Sequence, residues 1–162
     1  MHMKKFLLTI IIVTSAITLT ACGGSKVTTS SDSNLPTVSS NAGAKPTISK
    51  PSGPAPTTLI TKDIIEGTGN PAIATSTMTV HYTLMTWSKG EVVESSWDSG
   101  SPATFPLANV IKGWQQGIPG MKVGGRRLLV IPPDLGYGAQ GAGGAIGPNE
   151  TLVFVVDVIG IA

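Results

Sequence analysis

Val110-Ile-Lys-Gly-Trp-Gln-Gln-Gly-Ile-Pro119 is the stretch on which the fold turns. Residues Ile111 to Gln116 carry a helical pattern, and Gly117 and Pro119 end it early. The chain on either side reads as strands. Leu59 to Ile65 has apolar residues at strand spacing and stops at Gly67-Thr-Gly69. Thr75 to Met85 is rich in Thr, Val and Tyr; Ser88-Lys89-Gly90 marks a hairpin turn, and Glu91 to Ser96 is the returning strand. Leu128 to Ile131 is a continuous apolar strand ended by Pro132-Pro133, and Leu152 to Ile161 is the last strand. Many strands, one short helix and long loops define an α+β class, an antiparallel sheet folded over one helix.

A chain of 162 residues holds one domain of ordinary size plus a tail. Hydrophobic content of 41% suffices for a core, while a net charge of +2 is too weak to argue for nucleic acid as a partner. Arg126-Arg127 is the one basic pair in this region, and neighbours on a strand point to opposite faces, which predicts one solvated side and some edge protection. Gly136-Tyr-Gly-Ala-Gln-Gly141 fits the spacing of a dinucleotide loop but lacks the following helix. His81 has no Cys or acidic cluster with which to build a zinc site, and is expected to satisfy local hydrogen bonds on its strand. Glu91 and Glu94, three apart on a strand, do not suggest paired-carboxylate chemistry. The sequence therefore calls for no metal and no cofactor.

The N-terminus has a different character. Lys4-Lys5 precedes an apolar run from Phe6 to Leu19 of about 14 residues, short of the roughly 20 that span a bilayer comfortably. It ends in Leu19-Thr-Ala-Cys-Gly23, which resembles the lipobox of bacterial lipoproteins. The resemblance implies a signal peptide over residues 1–21, a diacylglyceryl thioether on Cys22, and a mature chain anchored outside the cytoplasm. An uncleaved anchor, or an export signal with an incidental thiol, is the competing reading. From Cys22 to Pro56 the composition is Ser, Thr, Pro, Gly, Asn and Ala without apolar periodicity, which predicts a disordered linker. The globular domain is expected over residues 57–162.

Within that domain, Val80-His-Tyr-Thr83, Glu94-Ser-Ser96, Val110-Ile-Lys-Gly-Trp114, Met121-Lys-Val-Gly124, Pro133-Asp-Leu-Gly-Tyr-Gly-Ala139 and Thr151-Leu-Val-Phe154 occur in an order and spacing that resemble the FKBP-type peptidyl-prolyl isomerases, the rapamycin-binding family. The resemblance implies a five- to six-stranded antiparallel sheet wrapped around a short helix. It implies a pocket floored by Trp114 and walled by Tyr82, Val110, Ile111 and Phe154. The backbone N–H of Ile111 and the hydroxyl of Tyr137 would donate to substrate carbonyls, and Ile146 would close one side. Plain core packing is the competing account of the apolar members.

Val93-Glu94 stands where better-known members carry Phe-Asp, Ala103 where a second aromatic wall residue falls, with Phe105 near enough to compensate in part, Ser99 in place of an arginine and Ala142 in place of a histidine. These departures imply a wider pocket, with Val93 and Glu94 still counted among the site residues. The implied activity is rotation of X-Pro bonds in extracytoplasmic client polypeptides, by a monomer that also accepts rapamycin-like macrolides. A module that binds proline-containing or apolar segments with little turnover is the alternative.

Overall fold

A computed structural model describes residues 34–162. The expected signal peptide, the lipidated Cys22 and the first part of the linker lie outside the described residues. Six strands form one antiparallel sheet: β1 (Ile60–Ile65), β2 (Thr77–Thr86), β3 (Glu91–Ser95), β4 (Ala103–Pro106), β5 (Arg126–Ile131) and β6 (Leu152–Ile161), with one helix, α1 (Lys112–Gly117). The order across the sheet is β1-β5-β6-β2-β3, and β4 also pairs with β2. One edge of β2 lies along β6. The other is shared, with β4 beside Thr77–Val80 and β3 beside Thr83–Thr86. The sequence reading missed β4, which follows Pro102, ends in Pro106 and at four residues is too short to show a clear alternation.

The two faces of the sheet are both apolar. Leu129, Ile131, Leu152, Phe154, Val156 and Val158 face the concave side, where they pack with Trp114 and Ile118. Leu128, Val130, Val153 and Val155 face the outer side. Helix α1 approaches β5 closely because two glycines face the strand. A Cβ at Gly113 would come within 2.4 Å of the Ile131 side chain, and one at Gly117 within 2.4 Å of Leu129. The same spacing sends Trp114, only 4% exposed, into the hollow of the sheet.

Over residues 34–56 the structure departs from the expected linker. Val38 and Ile48 form an antiparallel bridge, flanked by Ser39 N to Thr47 O at 3.1 Å and Ser49 N to Thr37 O at 3.0 Å. Leu35, Val38, Ile48 and Ala55 from this strap pack onto the outer face. Its apolar residues are too few and too widely spaced to register as periodic, yet they cover a surface that would otherwise meet water.

Arg126 ties the strap down. Its side chain is fully buried, and its Nε donates to Asp157 Oδ1 at 2.7 Å while its two terminal nitrogens donate to Ser39 O at 2.9 Å and Ala44 O at 2.6 Å. Arg127, on the opposite face, pairs with Asp63 and donates to Gly117 O. The two arginines do point to opposite faces, but neither serves as a solvated side chain, and β5 is an interior strand, not an edge. Burial pushes the Asp157 carboxyl up from its ordinary range, against the opposing pull of Arg126.

A buried ion pair costs most when one partner is left alone. Arg126→Ala is expected to destabilise residues 34–162 by about 3–5 kcal/mol, through the stranded carboxylate and the two freed carbonyls. The double variant Arg126→Met, Asp157→Leu should recover much of that loss. Urea denaturation followed by tryptophan fluorescence measures both.

Candidate active site

The concave face is not filled by its one short helix. A cavity of about 350 Å³ remains, lined by Tyr82 and Leu84 from β2, Glu94 from β3, Phe105 from β4, Asn109, Val110 and Ile111 from the segment entering α1, Trp114, Tyr137 and Phe154. At its base the Trp114 indole meets three rings edge-on: Tyr82 at 5.9 Å, Phe105 at 5.2 Å and Phe154 at 5.2 Å between centroids. Edge-to-face packing of this kind holds a ring in place.

The polar side chains of the lining are Tyr82, Glu94, Asn109 and Tyr137, and the Trp114 indole N–H is buried without a partner among the described residues. The Tyr82 hydroxyl donates to Glu94 Oε1. Burial raises the Tyr82 phenol well above its ordinary range, and the bond to Glu94 with that carboxylate's charge raises it further. Tyr137 lies between two 3-10 turns, Pro133–Leu135 and Gly138–Gln140, and is 38% exposed. Its hydroxyl has no acceptor among the described residues. Its phenol is raised by burial first and by the charge of Glu94 second. The N–H of Ile111 likewise donates to nothing among the described residues.

The structure thus brings Tyr82, Glu94, Val110, Ile111, Trp114, Tyr137 and Phe154 around one cavity. Val93 and Ile146 stand apart from its lining, both half-buried against the concave core. Val93 occupies a bulge: Glu94 pairs with Leu84 and Val92 with Met85, which leaves Val93 without a partner across the strands. Ile146 closes the Gly-rich loop on itself through a two-way backbone bridge to Ala142. Leu84, Phe105 and Asn109 complete the lining. Leu84 was detectable in principle, since it follows Tyr82 by two on the same strand face. Phe105, which the resemblance offered as partial compensation for Ala103, does line the cavity, from β4.

No cluster of three His, Cys, Asp or Glu is placed to hold a metal among the described residues. His81 bonds Ser96 Oγ through Nδ1 at 3.0 Å and stacks on Trp97 at 4.0 Å. Gly138–Gln140 forms a 3-10 turn where a dinucleotide loop would open an α-helix. The cavity itself combines apolar and aromatic walls with two phenols and the Glu94 carboxylate.

Residues 69–159 match the family described as FKBP-type peptidyl-prolyl cis-trans isomerase. A probable FK506-binding protein of Corynebacterium glutamicum is 50% identical over 115 residues, covering 71% of this chain and 97% of that protein. The FK506-binding protein of Streptomyces anulatus is 49% identical over 120 residues, covering 72% and 97% respectively. A solved peptidyl-prolyl cis-trans isomerase from Pseudomonas syringae pv. tomato superposes with a TM-score of 0.59 at 33% identity, over 64% of this chain and 75% of that one. The chain belongs to the FKBP-type peptidyl-prolyl cis-trans isomerase family.

The raised phenol sets the pH behaviour. A tyrosine whose folded pKa lies above 10.0 keeps its donor proton below that value and loses it only as pH climbs past the raised one. Isomerisation is therefore expected to show no loss attributable to Tyr137 from about pH 7 to 9. A rate profile of native and Tyr137→Phe protein checks this, because their ratio should stay constant over that range.

Proposed function

We propose that this chain catalyses rotation of X-Pro bonds in client polypeptides by gripping the proline ring in the cavity over Trp114. The reading rests on one observation: an indole held by three rings beneath a cavity lined by Tyr137 and Ile111, whose hydroxyl and N–H donate to nothing among the described residues. The ring settles on Trp114 between Tyr82, Val110, Ile111 and Phe154. The rim donors hold the flanking carbonyls.

Amide rotation faces a barrier of about 18–20 kcal/mol because resonance is lost on twisting. The twisted amide is less dipolar than the planar one, so an apolar enclosure penalises the ground state more. Donors placed for the twisted geometry add differential binding, and each 1.36 kcal/mol gained is about tenfold in rate. No proton transfer, metal or cofactor enters this scheme. Glu94 accepts from Tyr82 and holds that ring against the cavity wall. The names of the relatives support a further expectation, that FK506-like ligands compete for the same cavity, and the sequence resemblance extends it to rapamycin-like macrolides.

The place of action is part of the proposal. The sequence around Cys22 supports a lipid-anchored protein outside the cytoplasm, acting as a monomer on exported chains whose folding waits on X-Pro isomerisation. Labelling with a radioactive fatty acid should mark the native chain and spare Cys22→Ala. Equal labelling of both would remove the anchor from this account.

Catalysis is tested with residues 34–162, which keep the strap. Exchange of a short X-Pro peptide, followed by NMR, should accelerate with native protein. Tyr137→Phe should lose about tenfold, the worth of one hydrogen bond, and Trp114→Ala considerably more. Tight peptide binding without faster exchange would identify a binding module instead.

A further inference from the structure

The donor at Ile111 belongs to the peptide unit that joins it to Val110, and the other end of that unit is engaged. Gln115, one turn into α1, donates through Nε2 to Val110 O at 2.8 Å and to Ala108 O at 3.3 Å. Both partners are carbonyl oxygens, so the carboxamide must present its NH₂ to them, and its orientation is fixed by chemistry. Gln115 itself is exposed and takes no part in lining the cavity.

A trans peptide is planar, with its C=O and N–H on opposite edges. Drawing the Val110 carbonyl outward to Gln115 therefore turns the Ile111 N–H the other way, toward the cavity that Ile111 lines. The backbone here needs such a restraint. Val110 and Ile111 are extended, at φ −101°, ψ 175° and φ −58°, ψ 151°, and sit between a 3-10 turn and the helix. The Ile111 carbonyl is taken by the first helical bonds, from Trp114 N and Gln115 N. The intervening peptide plane has no backbone bond of its own to fix its tilt. Accepting a hydrogen bond at the carbonyl also polarises the unit and strengthens its N–H as a donor.

We propose that Gln115 is a positioning residue, which pins the Val110–Ile111 peptide so that its N–H stands ready for a substrate carbonyl. The inference rests on the role given above to Ile111 N–H. Gln115 touches no substrate. Its influence runs through one peptide plane.

The test compares Gln115→Glu, near-isosteric but an acceptor when ionised, with Gln115→Lys, which still donates. The probe is a four-residue peptide with proline third, titrated into residues 34–162 while the Ile111 amide proton is followed by NMR. In native protein that proton should shift downfield on binding. The Glu variant should show a much smaller shift and a kcat/KM lowered about two- to tenfold through kcat, the pattern of a lost transition-state contact. The Lys variant should restore most of both, and all three proteins should melt within a few degrees of one another.

An unchanged Ile111 shift in the Glu variant would overturn the proposal, as would a Lys variant as impaired as the Glu one. If the native protein itself shows no Ile111 shift while exchange is accelerated, the donor role fails and Gln115 falls with it. If native protein neither shifts nor accelerates, the catalytic reading fails as a whole.

Discussion

Strands β5 and β6 are apolar on both faces, and the molecule is organised around covering them twice. Leu128, Val130, Val153 and Val155 cannot be left to water any more than Leu129, Ile131, Phe154 and Val156 can. A helix takes one face and the strap takes the other. The two covers are very unequal, and the inequality makes the protein useful. The strap is held through main-chain carbonyls and scattered aliphatic contacts. The helix is held by direct approach of two glycines to β5.

Six helical residues rise about 9 Å, whereas a ten-residue strand runs on the order of 33 Å. Helix α1 therefore covers only part of the concave face beneath β2 and β6. The uncovered part is closed at its base by Trp114 and its edge-on neighbours and remains open above. A longer helix would fill the hollow with its own side chains. Gly117 and the Ile118-Pro119 step prevent that, so the residues that end the helix also keep the cavity open.

Much of this was legible in the sequence. The strands β1, β2, β5 and β6 follow from β-branched and apolar spacing, and the short helix from its glycine and proline stop. The grouping of Tyr82, Trp114, Tyr137 and Phe154 came from resemblance, since nothing local tells residues so far apart that they meet. Three features escaped. Strand β4 is too short and too flanked by proline to announce itself. The bulge at Val93 is a matter of pairing, visible only when β2 and β3 are set side by side. The strap hid behind a composition typical of linkers, although the two-sided burial of Leu128–Ile131 already required a second cover. The Arg126-Arg127 pair likewise read as one solvated side and edge protection, because the partners that bury Arg126 are main-chain carbonyls and an aspartate 31 positions away.

The grip of Arg126 on Ser39 O and Ala44 O has a consequence for how this protein can change over time. A guanidinium that holds carbonyl oxygens is indifferent to which side chains those residues carry. The strap can drift widely in composition, provided its length and a few aliphatic positions persist, while Arg126 and Asp157 are not free to change one at a time. Homologous straps should then look unrelated to the eye even where they seat identically, and an arginine at the place of Arg126 would be where to search for them.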